Sequence, residues 1–132
     1  MHQKYDNQLD YKKNKVINIF NHISNIKLDN LDIISDSNFN YRNNIILNIH
    51  NNIIGFYKNN TNEIVEIDEC LISNNKINNL IKEIKLFINE FPNNNITRID
   101  IRAYENTMIN VICNDFMYKN KLIKYVNVDS IY

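Results

Sequence analysis

The chain has 132 residues, and its 15 Lys and Arg balance its 15 Asp and Glu, so its formal net charge is zero. That length fits one domain able to bury a core without staples, and the charge balance excludes a global basic field, so any binding of nucleic acid needs a local patch. The two cysteines, Cys70 and Cys113, set out no disulfide framework, the start Met1-His2-Gln3-Lys4-Tyr5-Asp6 is no signal peptide, and no apolar run approaches the roughly 20 residues that cross a bilayer.

These features predict one cytoplasmic domain over residues 1–132, with no membrane partner and with reduced thiols. Asn and Ile dominate, whereas Gly and Pro occur once each and Trp not at all. This is the residue usage of AT-rich codons. Apolar residues interrupt every Asn run, which argues against a prion-like tract. The sequons Asn59-Asn60-Thr61 and Asn95-Ile96-Thr97 are chance matches in such a chain.

From Gln8 to Ile23, Leu9, Val16, Phe20 and Ile23 recur at helical spacing, with Asp6 or Asn7 as the expected cap. Residues 30–39 read as loop. Tyr41 to His50 alternates, Ile45, Leu47 and Ile49 against Asn44, Asn48 and His50, which predicts a half-buried strand. Asn51-Asn52 is a tight turn, because Asn tolerates positive φ. Ile53–Lys58 and Glu63–Asp68 read as the next two strands, and Gly55 inside the first of them marks a bulge or a close backbone approach.

Ser73 is the expected cap of the clearest helix, whose stripe is Ile77, Leu80, Ile81, Ile84 and Ile88 and whose end is set by Pro92. Ile96 to Tyr104 alternates again, Ile99, Ile101 and Ala103 against Arg98, Asp100, Arg102 and Tyr104, and Met108 to Asn114 returns as a strand. Tyr125-Val126-Asn127-Val128 is one more short apolar stretch before the chain runs out without a helix. The expected fold class is α+β: a two-layer sandwich, with an antiparallel sheet of about five strands and two helices, Gln8–Ile23 and Ser73–Phe91, on one face. The other face stays open to solvent or a partner.

The residues offer little chemistry. One glycine cannot build a phosphate cradle or cofactor turn, and no His/Cys cluster has zinc spacing. His2, His22 and His50 lie far apart and read as surface residues. Cys70 has no base supplied by the sequence, Cys113 sits in the apolar run Val111-Ile112-Cys113, and Asp68-Glu69 reads as a solvated strand end. No catalytic residue, cofactor or metal is therefore expected. The polar faces holding Arg42 and Asn44, and Arg98, Arg102 and Tyr104, are better placed for binding: arginine forks suit phosphate and a Tyr ring offers a stacking plane. The same pattern is also that of an ordinary solvated sheet face, in which Asp100 pairs with one of the arginines.

Four stretches carry a resemblance: His2-Gln3-Lys4-Tyr5-Asp6-Asn7-Gln8-Leu9-Asp10-Tyr11-Lys12; Tyr41-Arg42-Asn43; Ile54-Gly55-Phe56-Tyr57 followed by Ile64-Val65-Glu66-Ile67-Asp68-Glu69-Cys70; and Ile99-Asp100-Ile101-Arg102-Ala103. In this order and spacing they resemble the RNA uracil-5 methyltransferases, which make 5-methyluridine in tRNA and ribosomal RNA. The resemblance covers nearly the whole chain and implies their central subdomain. Larger members of the family add an N-terminal RNA-binding barrel and a C-terminal domain that binds S-adenosylmethionine and carries the nucleophilic cysteine and the base. Both are expected to be absent here.

Cys70 aligns with the last of four cysteines that hold an iron–sulfur cluster in some members. Its three partners are missing, so no metal is expected. The resemblance thus implies a module that binds stem-loop or single-stranded RNA weakly and is not catalytic alone, whether a gene fragment or one part of a split enzyme completed by a separately encoded methyltransferase domain. The alternative is a structural or interaction remnant without RNA affinity.

Overall fold

The computed structural model describes residues 4–24, 26–115 and 117–132. His2, and with it the start of the first family-like stretch, lies outside them. The chain divides into two compact units, Met1–Asn38 and Phe39–Tyr132.

The first unit is built on helix α1, Tyr5–Ile23. Its N-cap is Lys4, without a side-chain cap, rather than Asp6 or Asn7. Asp6 instead sits in the first turn, where a carboxylate meets the positive end of the helix dipole. At the other end the Ser24 hydroxyl donates to the Phe20 carbonyl. The Leu28 N–H donates to Asn21 Oδ1 at 2.7 Å, which holds the outgoing chain near the last turn. The expected stripe is present, but α1 buries none of its residues.

The second unit runs β1 (Asn44–His50), β2 (Ile53–Tyr57), β3 (Ile64–Glu66), α2 (Asn75–Glu90), β4 (Ile96–Ala103), β5 (Thr107–Cys113), α3 (Lys119–Tyr125) and β6 (Ser130–Ile131). The six strands form one sheet in the order β3-β2-β1-β4-β5-β6. All neighbours are antiparallel except β6, which runs parallel to β5. The fold is α+β, with six strands where about five were expected. Within this unit α2 and α3 pack together in the helical layer.

Turns in this chain rely on asparagine. Asn51 and Asn52 have φ of 52° and 63°, the paired left-handed geometry of a two-residue hairpin between β1 and β2. Asn40, Asn60 and Asn95 are the other non-glycine residues at positive φ among the described residues. A sequence nearly without glycine thus fills left-handed positions with the side chain that tolerates them best.

The core is the inward set of β1 and β4 under α2. Leu47, Ile99, Ile101 and Ile109 are fully buried, as are Ile77, Ile81, Ile84, Phe87 and Ile88 of α2 and Leu122 of α3. The N-cap of α2 is Asn74, not Ser73: Asn74 Oδ1 accepts from the Ile77 N–H at 3.0 Å. Ser73 is instead buried, and its hydroxyl has no hydrogen-bond partner among the described residues. The strand expected from Tyr41 begins at Asn44, because Arg42 pairs in parallel with Ser73: its N–H donates to the Ile72 carbonyl, and its carbonyl accepts from Asn74.

The tail departs most from the sequence reading. Lys119–Tyr125 is helical, and the strand comes later, at Ser130–Ile131. Two turns of helix give too short a window for periodicity to register. Tertiary packing holds them. The Tyr125 ring meets Phe87 edge-on at 5.7 Å and Phe91 at 5.9 Å, and its hydroxyl donates to Glu90. Lys121 Nζ lies 4.5 Å from the Phe91 ring centre.

Gly55 is a close-approach glycine. It is buried, and a Cβ there would stand 1.9 Å from the Val65 carbonyl oxygen of the neighbouring strand β3. Backbone cannot move aside as a flexible side chain can. Gly55→Ala should therefore lower the unfolding free energy by about 1–3 kcal/mol, the usual range for overpacking, read from the midpoint of a urea transition; an unchanged midpoint would refute the close-approach account.

Lys85 joins α2 to the end of β3. Its ammonium donates to Asp68 at 2.6 Å and to the Ile67 carbonyl at 3.2 Å, and it stands 2.7 Å from Glu66. The hydrogen bond from Lys85, and then its charge, holds the Asp68 carboxyl below the usual carboxylate range. Burial alone would lower Lys85, but its hydrogen bonds to Asp68 and Glu66 outweigh that and raise it. A depressed carboxyl gives stability that is present above its unfolded pKa and lost as pH falls through the folded one. A raised lysine gives stability that is present below its unfolded pKa and lost as pH rises through the folded one. Lys85→Met should therefore lower the thermal midpoint across neutral pH. The gap to wild type should close as Asp68 protonates in acid; a gap independent of pH would mean that the lysine stem, not its charge, does the holding.

Candidate nucleic-acid interface

The face of the sheet turned away from α2 and α3 carries the polar half of each alternating strand. On β1 these positions are Asn44, Ile46, Asn48 and His50; on β4 they are Arg98, Asp100 and Arg102; on β5 they are Met108, Asn110 and Ile112. A bulge sets this arrangement on β4. Between Ile96 and Arg98 the pairing with β5 slips by one residue, so Ile96 and Ile99 are both buried although three positions apart. Thr97, the extra residue, donates from its hydroxyl to the Ile112 carbonyl at 3.1 Å.

The antiparallel register brings several of the sequence-predicted site residues together. Asn44 lies directly opposite Arg102, Ile46 opposite Asp100, and Asn48 opposite Arg98. Arg42 is exposed and lies two residues before Asn44, where the chain has left the ladder for Ser73. Tyr104 lies just past β4 and is 75% exposed. Its N–H donates to the Asn106 carbonyl, and its own carbonyl accepts from Lys76 at 2.9 Å. Arg42 and Tyr104 therefore stand at one end of the face, and Arg98, Asp100 and Arg102 on the sheet itself.

The arginines are not equivalent. Arg98 and Asp100 form a two-point pair, Nε to Oδ1 at 2.6 Å and Nη2 to Oδ2 at 2.9 Å. The hydrogen bond to Asp100 outweighs the partial burial of Arg98 and raises its pKa. Arg98 is thereby spent on its neighbour, whereas Arg102 is exposed and has no ion-pair partner among the described residues. Asn110 and Tyr132 complete this part of the surface. Sequence reasoning missed both. Alternation along β5 was the available signal for Asn110; for Tyr132 there was none, because β6 is two residues long.

The remaining candidates carry no assembled chemistry. Among the described residues no three His, Cys, Asp or Glu side chains come together as metal ligands. His22 and His50 are exposed. Cys70 is half-buried, and its backbone N–H and carbonyl are both bonded to the Asn78 side chain, at 2.9 and 3.2 Å. Burial, then the charge of Asp115, pushes the Cys113 thiol up, away from a reactive thiolate. No helix among the described residues is long and apolar enough to cross a membrane.

No family model matches the chain. An uncharacterized RNA methyltransferase of Clostridium acetobutylicum is 36% identical to it over 98 residues, which are 68% of this chain and 21% of that protein. The tRNA (uracil-54, C5)-methyltransferase of Pyrococcus abyssi, solved in complex with S-adenosyl-L-homocysteine, superposes with a TM-score of 0.80 at 26% identity. That match covers 99% of this chain and 34% of the other. The chain thus spans about a fifth of the length of one relative and a third of the other. By sequence and by fold together, the chain resembles the RNA uracil-5 methyltransferases along nearly its whole length.

Proposed function

We propose that this chain is an RNA-binding module of a uracil-5 methyltransferase-like protein, corresponding to the family's central subdomain and not catalytic by itself. The observation that carries the reading is the pairing of Asn44 with Arg102, which sets an unpaired guanidinium beside an amide on an exposed sheet face. Arg42 and the exposed Tyr104 ring extend that face at its end. On a protein of zero net charge this is a small local basic patch. Few phosphates can be engaged, so affinity is modest and falls with salt. Looped or single-stranded RNA, in tRNA or ribosomal RNA, is the substrate class that fits, because its splayed bases can stack on a Tyr ring. Chemistry at C5 of uracil would come from an S-adenosylmethionine domain outside these 132 residues. The protein would act in the cytoplasm.

A labelled RNA stem-loop titrated at low salt should bind saturably. Arg102→Ala and Arg42→Ala should each weaken binding and flatten its salt dependence, each reducing the slope by roughly one, the value of a single phosphate neutralised. Wild-type binding that is undetectable, or unchanged in both variants, would leave a structural or interaction remnant as the better description. Calorimetry of these 132 residues with S-adenosylmethionine should show no heat of binding; a saturable isotherm would contradict a module without a cofactor site of its own.

A further inference from the structure

Over β4, β5 and β6 the exposed face dips into a cavity of about 330 Å³ lined by Asp100, Arg102, Met108, Asn110 and Tyr132. That volume is at the lower end for ligand sites, roughly 300–1,000 Å³, and admits one flat ring rather than a folded partner. Arg102 also borders a second aromatic side chain outside the cavity, because Tyr104 follows it by two residues on the same side of the chain. We propose that the two rings and the guanidinium between them form a track for one unpaired dinucleotide step of RNA. One base lies on Tyr132 in the cavity, the linking phosphate on Arg102, and the next base on Tyr104. The inference deepens the RNA-binding reading and rests on it; it adds the cavity, a second stacking ring and the length of the site.

Strand register sets the order of these groups. Arg102 lies opposite Met108, and Asp100 opposite Asn110. Tyr132 is held against β5 by two hydrogen bonds: its N–H donates to the Ile109 carbonyl at 3.0 Å, and its carbonyl accepts from the Val111 N–H at 2.8 Å. Those bonds place it beside Asn110, on the face that Asn110 shares with Asp100. Tyr104 lies the other way from Arg102, just past the end of β4. Its N–H donates to the Asn106 carbonyl at 3.1 Å, and its carbonyl accepts from Lys76 at 2.9 Å. Two residues of strand span about 6.6 Å, which is within the reach of one extended nucleotide. Tyr132 is 71% exposed and Tyr104 75%, so each ring is open to a base on a backbone that is already held.

The polar groups leave the base unselected. Arg98 holds both oxygens of Asp100, at 2.6 and 2.9 Å, so no carboxylate edge stands open to a base. The two charges cancel, and the track keeps one net positive charge, that of Arg102, which matches one linking phosphate. Asn110 is exposed, and its amide presents a donor or an acceptor according to how it turns, so it accepts either kind of base edge. Met108 adds a polarizable surface suited to any aromatic ring. Recognition is therefore by stacking, which every base can do, and by one charge.

The test follows the amide signals of Tyr104 and Tyr132 by NMR while the full chain is titrated at low salt with UMP, UpU, ApA and CpC. UpU should shift both signals saturably and bind at least about fivefold tighter than UMP, the worth of one added stack. ApA and CpC should shift both signals as well. Tyr104→Ala and Tyr132→Ala should each weaken UpU by about fivefold or more. Each should weaken UMP by no more than about twofold, because the other ring still takes a lone base. Tyr132→Phe should bind as the wild type does, since the ring and not the hydroxyl is used. A neutral methylphosphonate in place of the linking phosphate should weaken UpU as much as Arg102→Ala does, and that variant should not tell the two ligands apart. UpU no tighter than UMP, UpU unaffected by Tyr132→Ala, or only one of the three dinucleotides bound would overturn the proposal. So would an Arg102→Ala chain that still prefers UpU to its methylphosphonate. If stem-loop RNA binds in an Arg42- and Arg102-dependent way while UpU shows none of this pattern, the track falls and the RNA-binding reading stands. If UpU follows the pattern and the stem-loop does not bind, the track stands and the broader reading falls.

Discussion

Asn74 ties together three parts of the second unit. Its Oδ1 caps α2 at the Ile77 N–H, its Nδ2 donates to the Ala103 carbonyl at the end of β4 at 2.6 Å, and its backbone N–H donates to the Arg42 carbonyl. Helix start, strand end and the approach to β1 are thereby held at one point. Capping alone is worth about 1 kcal/mol, but the geometric consequence is larger. With α2 anchored over the end of β4, the stripe from Ile77 to Ile88 must lie along the apolar face of β1 and β4. Every polar position of those strands then falls on the opposite face. The arginines reach that face because the helix is fixed on the other.

That face is chemically sparse, and its electrostatics follow from pairing more than from composition. Of its two on-sheet arginines, one is bound at two points by Asp100 and one is unpaired. On the sheet itself the patch is therefore a single positive charge bracketed by amides, an exposed Tyr ring and a thioether, with Arg42 at its end. One unpaired guanidinium can neutralise one phosphate, whereas grip on a duplex backbone takes several such contacts. The chain resembles RNA-modifying enzymes over 21% and 34% of the two relatives' lengths.

Asparagine has a structural role here beyond residue usage. All five non-glycine positive-φ residues among the described residues are Asn. Asn74 caps α2, Asn78 holds both backbone groups of Cys70, and Asn94, fully buried, donates to the Phe91 carbonyl at 2.7 Å and accepts from the Ile96 N–H at 3.0 Å. A short amide side chain imitates a peptide group and so takes over turns that glycine or serine makes elsewhere. Gly55 is the exception: at the β2–β3 approach any Cβ would meet a carbonyl, and no side chain can substitute for its absence.

Period-two alternation in β1, β4 and β5, the Asn51-Asn52 hairpin and the α2 stripe were all legible in the sequence, because each depends on neighbours within a few residues. They were enough for the α+β class and for the side of each strand on which Arg98, Arg102 and Asn44 stand. The cap of α2 was misplaced by one residue, since Ser73 and Asn74 are both good caps and only the bond from Asn74 to Ala103, 29 residues away, selects between them. Helix α3 and strand β6 were not legible, because two turns of helix and two residues of strand carry no period of their own. They are held by Phe87, Phe91 and β5. The pairing of Asn44 with Arg102, the capture of Arg98 by Asp100 and the place of Tyr132 beside Asn110 depend on strand register. Register is fixed by contacts between residues distant in the chain, so only the tertiary structure could decide them.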